Sequence, residues 1–135
     1  MLQKIYFDSQ EHTEIIDITS QVKSAVESTE IQEGICTIYV PHTSAAICIQ
    51  ENADYRVHID LLNALERLVP QDFPYLHQTE RKNAYAHIKS ALIGASETVI
   101  IEQGKVLLGT YQSIYFFEFD GPRQQRQVWL KIQSC

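Results

Sequence analysis

Of the five histidines in the sequence, three lie where an imidazole could do chemistry. His42 falls in Pro41-His42-Thr43-Ser44-Ala45-Ala46, between two strand-like apolar runs. His77 lies in the polar stretch after Pro74, and His87 lies in a helical pattern with Asn83 four residues before it. Neutral imidazoles are ligands for Zn²⁺ and related ions, and residues at i and i+4 project from one helix face. Asn83 and His87 would therefore present a carboxamide and an imidazole together, suited to a metal or a polar ligand. The same residues also read as a core histidine with satisfied nitrogens and a helix cap, because their spacing matches no ligand rule such as His-Glu-x-x-His. His12, in an early polar turn, and His58, beside the apolar stripe of its helix, read as solvated surface positions.

Other polar residues stand at places where strands end. In Gln50-Glu51-Asn52-Ala53-Asp54, Asp54 is the expected helix cap, which leaves Glu51 and Asn52 unexplained. Gly109, in Leu108-Gly109-Thr110-Tyr111-Gln112, marks either a close backbone approach to a ligand or a β-bulge. Arg123, after Asp120-Gly121-Pro122, could grip a phosphate bidentately or simply face solvent. No Gly-x-Ser-x-Gly elbow, Walker loop or GxGxxG is present, so serine hydrolase, P-loop and dinucleotide chemistry have no support. Cys36, Cys48 and Cys135 are odd in number and lack Cys-x-x-Cys spacing, and Cys36 and Cys48 read as buried structural thiols rather than a disulfide or zinc framework.

The elements that must position these residues follow from periodicity. Alternation predicts strands over Gln3 to Phe7, Glu14 to Ile18, Ile35 to Val40, Ala45 to Gln50, Thr98 to Glu102, Lys105 to Leu108, Gln112 to Phe119 and Gln127 to Ile132. Helical spacing predicts Ser20 to Glu30, a helix with the stripe Val57, Leu61, Ala64, Leu65 and Leu68 that Pro70 ends, and Asn83 to Ile93. Strands flanking central helices indicate an α+β fold, mainly antiparallel. Tyr115, Phe117 and Phe119 alternate with Ile114 and Phe116, apolar on both faces, which calls for a second sheet or another subunit over them.

With 135 residues and no linker or repeat, the chain reads as a single domain spanning 1–135. The net charge of −6 and the lack of a basic, aromatic stripe exclude nucleic acid as the expected partner. No apolar run reaches bilayer length and the first residues carry no signal-peptide core, which predicts a cytoplasmic protein with no membrane partner.

In order and spacing, a set of short segments resembles the YjbQ-type family of secondary thiamine-phosphate synthase-like proteins. They are Tyr39-Val40-Pro41-His42-Thr43-Ser44-Ala45-Ala46, Glu51-Asn52-Ala53-Asp54, Asp60-Leu61-Leu62, Leu68-Val69-Pro70, Ala86-His87-Ile88-Lys89, Leu108-Gly109-Thr110 and Asp120-Gly121-Pro122-Arg123. The chain departs from that pattern at Tyr85, where the family often has Asp, and more mildly at Tyr111 and Ser44.

The resemblance implies an α+β β-sandwich with two or three helices, assembled as a homotrimer. It implies that His42, His77 and His87 gather as metal ligands, for Zn²⁺ or a similar transition metal, with Mg²⁺ an option if the substrate is a pyrophosphate. It places Glu51, Asn83 and Arg123 in catalytic roles, and Thr43, Ser44, Asn52, Lys89, Thr110 and Gln112 against a small phosphorylated substrate. The activity it implies joins hydroxymethylpyrimidine pyrophosphate to thiazole phosphate with release of pyrophosphate. Three imidazoles suit a hydrolytic metal better than pyrophosphate departure, so a metal-dependent hydrolase with Glu51 as general base is the alternative. A trimeric ligand-binding module without turnover is the third reading.

Overall fold

The computed structural model describes residues 1–135 and contains eight strands and three helices. In chain order they are β1 (Leu2–Phe7), β2 (Glu14–Asp17), α1 (Thr19–Ser28), β3 (Gly34–Tyr39), β4 (Ala45–Glu51), α2 (Arg56–Leu68), α3 (Ala84–Ile93), β5 (Ser96–Glu102), β6 (Lys105–Leu107), β7 (Gln112–Glu118) and β8 (Arg126–Ser134). A five-stranded sheet runs β1-β8-β3-β5-β6 and a three-stranded sheet runs β2-β7-β4. All of their pairings are antiparallel.

Period-two alternation decides which side chains meet between the sheets. Cys36 and Ile38 of β3, Val99 and Ile101 of β5, and Val128, Leu130 and Ile132 of β8 face Ile47, Ile114 and Phe116 of the smaller sheet. Val22, Ala25 and Val26 of α1 close this core. The other face of the smaller sheet carries Ala46, Tyr115, Phe117 and Phe119, which pack on Leu65 and Val69 at the end of α2 and on Tyr85 and Ala86 of α3. The doubly apolar β7 is thus covered within one chain, by a sheet on one side and by helices on the other. No second subunit is needed to explain it.

Turn chemistry agrees with the pattern. Gln103 and Gly104 both take positive φ, 52° and 78°, the backbone that a two-residue β5–β6 hairpin requires. After β7 the chain turns at Gly121, where a Cβ would lie 2.1 Å from the Glu11 carbonyl oxygen, so only glycine fits. Asp54 does not cap α2 as a conventional N-cap. It sits one residue further out, accepts the Arg56 N–H at 3.0 Å and pairs with the Arg56 guanidinium. All three cysteines are free, and burial pushes the Cys36 thiol up to about 11, which makes it an unreactive packing group. No helix is long and apolar enough to cross a membrane.

Candidate functional site

The connection between β3 and β4 carries His42, Thr43 and Ser44, and each is tied to a different neighbour. His42 Nε2 accepts the Gln127 backbone N–H at 2.9 Å. Thr43 O accepts the His87 Nδ1–H at 2.7 Å. Ser44 Oγ accepts from Arg126 Nη2 at 2.9 Å. The start of β8 and the face of α3 therefore hold this turn rigid, and beside it opens a cavity of about 670 Å³ lined by His42, Thr43, His87, Ser90, Ala91, Gly94 and Ala95. His77, on the loop before α3, lies outside the cavity lining with its ring 5.2 Å from that of His87.

These bonds assign the ring nitrogens. A backbone N–H can be accepted only by a lone pair, so His42 is neutral at Nε2 and its proton sits on Nδ1. Burial, and then the charge of Arg126, hold His42 below the ordinary histidine value, which keeps it neutral. His87 is arranged the other way round. Its Nδ1–H is spent on a carbonyl, which leaves the Nε2 lone pair as its free group. His42 and His87 line one cavity and the His77 ring lies beside that of His87, but no group of three His, Cys, Asp or Glu side chains is disposed to hold a metal ion. His42 in addition has no free lone pair for an ion, because the Gln127 N–H occupies Nε2 and the ring proton sits on Nδ1.

Beneath the turn lies a buried ion pair. Arg126 donates from Nε to Glu118 Oε1 at 2.8 Å and from Nη2 to Glu118 Oε2, and Glu118 also accepts from Ser9 Oγ at 2.7 Å and the Asp120 N–H at 3.1 Å. Burial pushes the Glu118 carboxyl up, but the donors from Arg126, Ser9 and Asp120 outweigh it and hold the carboxyl below its usual value. Nearby, Asp120 Oδ2 accepts from Arg81 Nε, Asn83 Nδ2 and Arg123 Nη2 at 2.7, 2.9 and 2.9 Å. Burial raises the Asp120 carboxyl and those three donors more than reverse it.

Several expected site residues lie elsewhere. Glu51 pairs with Gln112 and Ala45 with Glu118, at opposite ends of β4 and β7. Over a seven-residue strand the two ends are roughly 20 Å apart. Glu51, Asn52, Thr110 and Gln112 therefore do not join the histidines. Asn52 Nδ2 instead staples the turn, donating to Thr110 O at 3.4 Å, Gln112 O at 3.1 Å and Ser113 Oγ at 3.1 Å, while Glu51 Oε2 accepts the Ala53 N–H at 3.0 Å. Lys89 is buried on the far side of α3 and bonds Glu66 Oε2 at 2.8 Å. Asn83 and Arg123 belong to the Asp120 cluster, and Ser44 is spent on Arg126. Of the proposed binding residues, only Thr43 lines the cavity with His42 and His87.

The sequence reading missed Glu118, Arg126, His12 and Tyr85 as partners. The first two carried a usable signal, charged residues inside otherwise apolar strands. Tyr85 is not beside the cavity: it is buried against β7 and bonds His12 Nε2 at 2.6 Å, while His12 Nδ1–H points to Gly121 O at 3.2 Å. His12 and His58 are thus bonded rather than merely solvated, His58 Nε2 donating to Glu51 O at 2.8 Å.

The family model "UPF0047 protein YjbQ-like" matches residues 3–135. The chain belongs to the YjbQ-like UPF0047 family. A UPF0047 protein of Methanocaldococcus jannaschii is 46% identical over 132 residues, covering 98% of this chain and 94% of that protein. The UPF0047 protein YugU of Bacillus subtilis is 43% identical over 137 residues, covering 99% and 100%. A crystal structure of a YbjQ-like protein of unknown function from Sulfolobus solfataricus superposes with a TM-score of 0.94 at 32% identity, over 100% of this chain and 97% of that one. These relatives confirm the expected family and α+β fold. They also correct the expected thiamine-phosphate synthase: they are named only as UPF0047 or YbjQ-like proteins of unknown function, and no thiamine-biosynthetic or enzymatic role is indicated.

Proposed function

We propose that the chain binds a divalent transition-metal ion, Zn²⁺ or one similar, between His77 and His87, with His42 donating to a small ligand on that ion. The observation that carries this reading is the Nδ1–H of His87 on the Thr43 carbonyl, which fixes the ring and aims its Nε2 lone pair. Ligating histidines are ordinarily oriented in this way by a carbonyl or carboxylate behind them. The donor set is nitrogen, and no carboxylate lines the cavity, so it suits Zn²⁺ and not Mg²⁺. Two neutral imidazoles leave the remaining positions to water or an anion. His42 Nδ1–H is placed to donate to such a ligand and not to bind the ion.

Equilibrium dialysis against Zn²⁺ followed by elemental analysis tests this. The expected result is one ion per chain in the wild type, loss of at least nine-tenths of it in His77→Ala and His87→Ala, and near-full occupancy in His42→Ala. Protons compete for the same lone pairs, so occupancy falls on acidification. A wild type without stoichiometric metal, or a His87→Ala protein as fully loaded as the wild type, overturns the reading.

The homotrimer stays a proposal, supported now by a different surface from the one that first suggested it. The outer face of the five-stranded sheet exposes Tyr6, Tyr39, Ile100 and Leu107 around the half-buried Trp129. A face of this kind favours self-association. Light scattering should give three times the 15.5 kDa chain mass. A monomer at every concentration rules the trimer out.

A further inference from the structure

The chain just after β1 and the chain just before β8 enclose a second cavity, of about 310 Å³, with no histidine in its lining. Asp8, Ser9 and Gln10 form one wall and Pro122, Arg123 and Gln124 the other. The backbone of the two walls is clamped together: the Ser9 N–H donates to Arg123 O at 2.9 Å, and the Arg123 N–H donates to Ser9 Oγ at 2.8 Å. Pro122 is the only apolar side chain in the lining. A volume at the low end of the usual range for ligand pockets suits a small molecule, and walls of this composition suit a polar one.

The charges on the two walls say which kind. Asp8 Oδ1 accepts the Gln125 N–H at 2.9 Å, and Asp8 Oδ2 bonds nothing. Arg123 donates to the Asp120 backbone oxygen from Nε at 3.1 Å and to Asp120 Oδ2 from Nη2 at 2.9 Å, and its Nη1 bonds nothing. Each charge is thus anchored from outside the cavity, and the two do not pair with each other: Arg123 pairs only with Asp120, and Asp8 with no basic group. The exposed carboxamides of Gln10 and Gln124, one on each wall, bond no other residue; Gln10 is held through its backbone N–H, on Glu14. A lone anion here would face Asp8, and a lone cation would face Arg123. One carboxylate without further ligating side chains does not make a metal site. An apolar ring finds no aromatic surface to stack on. A molecule that carries both charges satisfies both walls.

We propose that this cavity binds a free α-amino acid with a short polar side chain, of which asparagine is the type. Its carboxylate accepts from the spare guanidinium donors of Arg123, and its ammonium group donates to the free oxygen of Asp8. Its side-chain amide exchanges hydrogen bonds with the carboxamides of Gln10 and Gln124, each of which both donates and accepts. The anchors on Gln125 and Asp120 hold the two charged groups in place before the ligand arrives, so little ordering remains to be done on binding. The site shares no residue with the histidine cavity and does not depend on a metal.

The test uses the chelator-treated full chain, so that failure of the metal reading leaves this one standing. NMR titrations at constant ionic strength and about pH 6, where α-amino groups are protonated, compare L-asparagine, N-acetyl-L-asparagine, L-asparagine amide and L-leucine. L-Asparagine is expected to shift the side-chain amide resonances of Gln10 and Gln124 saturably. The N-acetyl and amide derivatives each lack one of the two charges and should bind at least about tenfold more weakly. L-Leucine keeps both charges but leaves the two carboxamides without partners, and should also bind more weakly. Asp8→Asn keeps the Oδ1 acceptor for Gln125 and removes only the charge. It should weaken L-asparagine about tenfold and leave N-acetyl-L-asparagine unchanged, a split that a merely structural role for Asp8 would not produce. Because the comparison among ligands is made on the wild type, it stands even if the variant misfolds. No saturable shift at those two side chains, an N-acetyl or amide derivative or L-leucine that binds as tightly as L-asparagine, or an Asp8→Asn protein that binds L-asparagine undiminished overturns the proposal.

Discussion

Glu118→Ala should cost about 3–5 kcal/mol of folding stability, because it leaves the Arg126 guanidinium buried without its counter-charge. The Arg126 side chain is 4% exposed and that of Glu118 is 0% exposed, so water cannot replace the missing carboxylate. The loss extends beyond the pair. Ser9 Oγ and the Asp120 N–H lose their acceptor, and Arg126 no longer has a fixed position from which to hold Ser44. Since Gln127 follows Arg126 and supplies the N–H that fixes His42, the turn beside the cavity should loosen with the fold. Urea denaturation measures the stability. The double variant Glu118→Leu, Arg126→Met separates the two possible causes: it removes both charges and should recover most of the loss, whereas a loss due to packing alone would persist.

The same pair sets a pH dependence of definite sign. The folded-state carboxyls of Glu118 and Asp120 are both held below their unfolded values. The unfolded chain therefore takes up protons first as pH falls, and the stability these groups contribute is complete above the unfolded carboxylate range and lost as pH drops through the folded values. Wild-type stability should fall on acidification below about pH 4.5, and Glu118→Ala should show a shallower fall.

Much of this fold was legible because strands with one buried face carry alternation, and β3 and β8 carry it plainly: Cys36, Ile38 and Val128, Leu130, Ile132 face inward. The limit appeared at β7, where both faces are apolar and alternation is silent about what covers each. The helices α2 and α3 cover one face, an arrangement that depends on Leu65, Val69, Tyr85 and Ala86 far away in the chain. The site was legible in part for a related reason. Motif order pointed to the His42 turn and the α3 histidine as neighbours, and both line the cavity. It could not say which end of a strand each motif occupies, so Glu51 and Asn52 were grouped with residues a strand length away. The ring tautomers were beyond sequence reading altogether, since the Gln127 N–H that decides His42 is separated from it by 85 residues.

The two faces of β7 can be separated experimentally. Phe116 points between the sheets, edge-on to Phe7 at 4.8 Å, and Phe117 points into the helical layer, with Phe119 6.0 Å away. Both are fully buried, and truncation of either to alanine should cost about 3–5 kcal/mol, the usual loss for a buried phenyl group with the cavity it leaves. The consequences for the site should differ. Phe116→Ala hollows the layer between the sheets, which α1 closes and α3 does not enter. Phe117→Ala removes the floor beneath Tyr85 and Ala86, and so beneath the helix that presents His87. At equal loss of global stability, amide exchange along α3 should accelerate beyond the global change only in Phe117→Ala, and the His77 and His87 ring resonances should shift only there. Equal shifts of those rings in both variants would mean that the two cores act as one, and that the site is supported by the whole molecule and not by its helical layer.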